Sequence, residues 1–361
     1  MSEVRIALPE TVFSEKERVL VRAGGLDASV FRYPSGIAAI RLANARGEII
    51  ALPFFGQMIW RAAFDGVDLT MKSMFPTPRA SADIAGTYGC FAFHSGLLAN
   101  GVPGPEDRHP PHGEFPCLAL DEAELEAGEG AAGPYLRLIS RVDHARGFGP
   151  HYRATASVTL EAGTMFEIGM AVENLSYRDM PLMYMAHVNF AFVPGGEILQ
   201  PLPYTPEHTA VRSAIPAHVQ PTPAYLAQIA ALARDPAPMA RLDPGAILDP
   251  EQVFYLRGLG VDAAGSTHLM LRRPAGDGFA IAYRPAEFPK TVRWLLANQD
   301  QSVAAFALPA TCEPEGFAAE SKKGHVRLLA PGARAAFSLR AGYVDREAAS
   351  ALAGVIAAIT P

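Results

Sequence analysis

Short apolar runs recur roughly every 8–15 residues along most of this chain, and Gly, Pro, Asn or Asp separates them. Few runs show the 3.6-residue period of a helix. A chain punctuated this way, with 32 Gly and 31 Pro among 361 residues, is expected to be an all-β sandwich or barrel rather than a series of βα units. Residues 17–69 read as a meander of such runs. The pair 152–160 and 165–174, joined by Glu161-Ala162-Gly163-Thr164, is the clearest hairpin. The run Ser302 to Phe317 begins small and apolar, as a strand buried on both faces would. It should end at Cys312-Glu313-Pro314, because Pro314 cannot donate to a ladder.

Two helices are expected. Thr222 can cap and Pro223 can open a helix near 222–235, with Tyr225, Ile229 and Leu232 on one face. Asp345 can cap another near 345–359. Residues 73–117, with seven prolines and three histidines, break the strand pattern and read as a long ordered loop region. The acidic stretch Asp121 to Glu126 reads as a solvated loop or turn. Nothing forces a domain boundary, so one domain spanning 1–361 is expected.

Composition narrows the function. The net charge of -6, without a block of like charges, gives no reason for a nucleic-acid or membrane partner. Three scattered cysteines support neither a disulfide framework nor a zinc site. No run reaches the ~18 apolar residues of a membrane span, and the N-terminus MSEVRIALPE lacks a secretory apolar core. A cytoplasmic setting is the expectation. The nucleophile-elbow, phosphate-loop and zincin motifs are absent.

Three places carry acid–base chemistry. His109-Pro110-Pro111-His112-Gly113-Glu114 is a stiff loop whose His/His/Glu triple could also take a divalent metal. In Tyr184-Met185-Ala186-His187-Val188-Asn189-Phe190, strand alternation puts His187 and Asn189 on one face. Glu313, at a strand end, is a candidate general base.

Taken together with Gly96-Leu97-Leu98-Ala99-Asn100-Gly101 and the closing Leu329-Ala330-Pro331-Gly332-Ala333, these motifs resemble, in order and spacing, the galactose mutarotase-like (aldose 1-epimerase) superfamily, in a little-characterised bacterial branch. The resemblance covers roughly residues 17–344. It implies a large antiparallel β-supersandwich and anomer interconversion of a monosaccharide or derivative, with no cofactor or metal. Glu313 would be the base, His187 the acid and His112 a second histidine polarising the sugar. Asn189, Glu114, Trp294, Gln299 and Lys290 would line the substrate. Arg108 stands in by position for an arginine of the hexose mutarotases, and Asp249 and Asp300 are candidates for a hydroxyl-binding Asp. A Glu at 114, where relatives carry Gly or Arg, leaves the sugar class open. A homodimer is compatible with this picture. Two alternatives stand beside it: a metal-dependent sugar isomerase or epimerase using His109, His112, Glu114 and His187, and a non-catalytic carbohydrate-binding protein.

Overall fold

Two antiparallel sheets, stacked face to face, form the framework of the chain. The structure is a computed structural model and describes residues 3–215 and 219–361. One sheet has nine strands and runs from Val4–Ala7, through the hairpin His151–Leu160 and Met165–Asn174, to Glu197–Leu199. The other has thirteen. Its central order is Gln252–Leu256, Lys290–Ala297, Ser302–Ala310, Met180–Val188, Ala92–Leu97 and Ile59–Phe64, and it continues into the meander down to Arg18–Ala23. The all-β sandwich is therefore observed, and no described helix is long and apolar enough to cross a membrane.

The middle strands of the larger sheet are apolar on both faces because each face meets a different layer. In Ser302–Ala310, Ala304, Phe306 and Ala307 join the main core between the sheets, whereas Val303, Ala305, Leu308 and Ala310 join a second cluster on the outer face. Gln252–Leu256 alternates likewise, with Phe254 and Leu256 inward and Val253 and Tyr255 outward. Val253, Val292 and Leu308 on this outer face line a cavity.

Both anticipated helices are present. Pro223–Leu232 is capped by the Thr222 hydroxyl, which accepts from the Tyr225 N–H. Arg346–Ala358 is capped by Asp345.

Three expectations require correction. The acidic stretch is not a solvated loop: Glu122–Gly130 is a strand in the nine-stranded sheet, and it alternates because Ala123 and Leu125 enter the core. Glu126 is also buried, and it is held by the Tyr135 hydroxyl and the Arg137 and Arg5 guanidiniums. The 73–117 region is not loop throughout, because Ala92–Leu97 is a buried strand between Met180–Val188 and Ile59–Phe64. Its His94 and Ser95 obscure the apolar pattern. The Ser302 strand ends at Ala310, four residues before Pro314, and a short helix, Phe317–Lys322, follows.

Candidate functional site

The segment after Ala310 is claimed by another partner. Val102 N–H donates to the Pro314 carbonyl at 3.1 Å, and Gly101 bridges to Glu315. A Cβ at Gly101 would lie 2.2 Å from Pro314 backbone atoms, so only glycine permits this approach. The loop 101–113 is thereby laid against 312–316 and walls off a cavity of about 500 Å³ on the outer face of the larger sheet. Tyr88, His112, His187, Arg212, Glu251 and Trp294 supply its polar groups. Its remaining walls are apolar.

His187 is fixed from behind. The Asn189 amide donates to the Cys90 carbonyl at 3.1 Å, which turns its oxygen towards the imidazole. His187 Nδ1–H donates to that oxygen at 2.8 Å. Nε2 then carries the lone pair and accepts from the Tyr88 hydroxyl at 3.2 Å. Phe93 stacks on the ring at 4.5 Å between centroids. Burial, and after it the neighbouring His112, hold the proton affinity of His187 well below the ordinary imidazole value. Burial, with lesser contributions from Cys90 and Glu251, raises the Tyr88 phenol well above its usual value. His187 is therefore a neutral imidazole and Tyr88 an intact phenol near neutrality.

His112 meets His187 edge to face, with ring centroids 5.0 Å apart. It adopts a left-handed backbone, φ 62°, followed by Gly113 at φ 80°. Ser95 donates to Asn100 Oδ1 at 2.5 Å and lies 3.1 Å from His112 Nδ1, so the hydroxyl oxygen accepts from Nδ1–H.

The carboxylate in this cavity is Glu251. Oε2 accepts from Trp294 Nε1–H at 2.7 Å, and Oε1 pairs with Arg212. Trp294 packs against both Tyr88 and His187, each with ring centroids 5.6 Å away.

Glu313 is not gathered with the imidazoles. Pairing at Pro314 puts that residue in the wall of the histidine cavity, which Glu313 does not line, while Glu315 lies 3.7 Å from the Arg212 guanidinium. Glu313 lines a neighbouring cavity of about 380 Å³ together with Tyr255, Arg257 and Lys290. Lys323 bonds its Oε2 at 2.7 Å and Glu320 at 2.8 Å. Burial opposes the Lys323 charge, but the two carboxylates raise its proton affinity on balance. Glu315 accepts from the Tyr255 hydroxyl. The expected convergence of Glu313, His112 and His187 is thus only partly realised, since the two histidines meet without the glutamate.

The other expected residues scatter. Trp294 lines the histidine cavity, and Lys290 lines the Glu313 cavity. Asn189 is buried and acts on His187 rather than on a ligand. Glu114 accepts from the Leu97 and Leu98 N–H groups and the Tyr152 hydroxyl, so it ties down backbone. Arg108 is exposed and lines neither cavity. Gln299 and Asp300 lie in an exposed turn, and Asp249 accepts from Asn298. His109 Nδ1–H donates to the Pro110 carbonyl, while Nε2 accepts from Phe317 N–H at 3.4 Å.

His109, His112 and Glu114 therefore do not form a ligand set. Among the described residues, the group that brings metal-type donors within 4.8 Å of one another is Glu313, Glu320 and His325. The Lys323 ammonium already bridges its two carboxylates, so the cluster is a charge network with its own cation.

Sequence reasoning missed Tyr88, Arg212 and Glu251. A signal existed for the last: Glu251 stands two residues before Val253 and four before Tyr255, just ahead of a short strand, so an acid shares the period-two spacing of the apolar residues.

Several comparisons bear on this geometry. The family model described as "Domain of unknown function (DUF4432)" matches residues 35–342, and the chain belongs to that family. No curated protein matches the sequence. A "putative aldose 1-epimerase" from Klebsiella pneumoniae subsp. pneumoniae MGH 78578 superposes with a TM-score of 0.79 at 15% identity, over 100% of this chain and 96% of that one. A galactose mutarotase-like protein from Clostridium acetobutylicum gives 0.55 at 11% identity, over 88% and 98%. Another from Lactobacillus casei ATCC 334 gives 0.51 at 12% identity, over 84% and 99%. The fold is galactose mutarotase-like.

Proposed function

We propose that this DUF4432 protein interconverts the anomers of a monosaccharide or monosaccharide derivative by general acid–base catalysis in the His112–His187 cavity. The observation that carries the reading is the gathering of two imidazoles, a phenol and a carboxylate in one apolar-walled hollow. The mutarotase-like fold supports it.

Ring opening of a hemiacetal removes a proton from the anomeric hydroxyl and delivers one to the ring oxygen, and closure reverses both. Glu251 takes the first proton, since its carboxylate is held in place by Trp294 and Arg212. His112 gives the second. His187 is poorly suited to the acid role expected for it, because it is neutral and its lone pair is committed to Tyr88. Tyr88, with its own proton engaged, accepts a hydrogen bond from a sugar hydroxyl and orients the ring. Arg212 steadies the charge that forms on the anomeric oxygen.

A freshly dissolved pure anomer, followed by polarimetry with and without the protein, tests the reading. Acceleration of equilibration for at least one sugar of a broad panel is expected. Rates equal to buffer for every sugar would overturn it.

A further inference from the structure

The His112–His187 cavity has few hydrogen bonds to offer. Its apolar lining includes Val102, Met185, Val253, Val292, Leu308 and the Trp294 ring. Part of its polar capacity is already used. Trp294 N–H and one N–H of Arg212 are engaged by Glu251, and both His187 nitrogens are engaged by Asn189 and Tyr88. What remains for a ligand includes acceptor capacity on Tyr88 and Glu251 and the other N–H groups of Arg212.

A common aldohexose brings about five hydroxyls, each able to donate and accept. Each one buried against an apolar wall without a partner weakens binding by roughly tenfold. A methyl or methylene at the same place is favoured by the wall instead.

Resting on the sugar reading above, we propose that the natural ligand is a deoxygenated sugar, one whose ring carries methyl or methylene groups where a common hexose carries hydroxyls. The anomeric hydroxyl and one neighbouring hydroxyl meet the acid–base groups, and the deoxygenated edge lies on the Val253–Val292–Leu308 wall.

Calorimetric titration with matched pairs tests this: galactose against 6-deoxygalactose, and glucose against 2-deoxyglucose. The series is completed by 2-hydroxytetrahydropyran, the bare cyclic hemiacetal. Affinity is expected to rise about tenfold for each hydroxyl removed. It is expected to be lost in Ala85→Trp, which fills the cavity from an exposed position and leaves the core untouched. Parent hexoses binding as tightly as their deoxy partners would overturn the proposal, as would binding that Ala85→Trp leaves unchanged. Deoxy sugars that bind without faster anomer exchange would remove the catalytic reading and leave the ligand class standing. Binding of 2-hydroxytetrahydropyran with none of the sugars would limit the class to the bare hemiacetal and overturn the sugar proposal. No binding by any probe would overturn both.

Discussion

The Tyr88 hydroxyl lies 3.2 Å from His187 Nε2, at the end of a chain that begins at the Cys90 carbonyl and runs through the Asn189 amide. Each link fixes the direction of the next, so the Tyr88 proton points away from the ligand and its oxygen is left to accept.

Tyr88→Phe is therefore expected to act in two ways. It leaves the buried His187 lone pair without a donor, which lowers stability by about 1–3 kcal/mol. It also removes a ligand acceptor, which raises KM by roughly tenfold while kcat falls less. Urea unfolding and anomer-exchange kinetics would check both effects. An unchanged KM would show that the phenol does not touch substrate.

A second prediction concerns acid. His94 is buried against the Tyr184 hydroxyl at 2.8 Å, and burial lowers its proton affinity to about pKa 3. The unfolded imidazole takes a proton near pH 6.5. The folded state thus binds fewer protons, and its stability falls as pH drops below about 6.5. From pH 7 to pH 5, this residue alone costs roughly 2 kcal/mol. His187 shifts in the same direction and adds to the loss. Carboxylates contribute little in that interval, so urea midpoints at the two pH values isolate the histidines. Equal midpoints would contradict the buried neutral assignment.

A third concerns the loop that presents His112. Gly113 sits at φ 80°, and an added Cβ would lie 2.1 Å from the Ala99 carbonyl oxygen. Gly113→Ala is expected to cost about 2 kcal/mol or more and to displace His112. Activity should then fall further than the loss of folded protein explains. Thermal melts combined with kinetics on the remaining folded fraction would show this.

The sequence made the sandwich legible because strand periodicity and turn residues agree over long stretches, as in the 152–174 hairpin. Both helices were legible from their caps, Thr222 and Asp345. The two histidines stood out as polar residues in rigid or apolar surroundings, and the structure brings them together. The facing of Glu313 could not be read locally. It depends on Pro314 pairing with Val102, more than two hundred residues earlier in the chain, and on Lys323, which holds Glu313 in a neighbouring cavity. Glu251 was hidden for the opposite reason. Its strand is only five residues long, and the acid lies one residue outside it.

The account depends on which carboxylate serves the imidazoles. Anomer-exchange NMR on a sugar that the wild-type protein turns over, run in parallel on Glu251→Gln and Glu313→Gln, decides this directly. The account predicts a loss of roughly a hundredfold or more for Glu251→Gln. For Glu313→Gln it predicts a near wild-type rate with lower stability, because Lys323 loses one of its two partners. A collapse at Glu313→Gln with Glu251→Gln unaffected would contradict it.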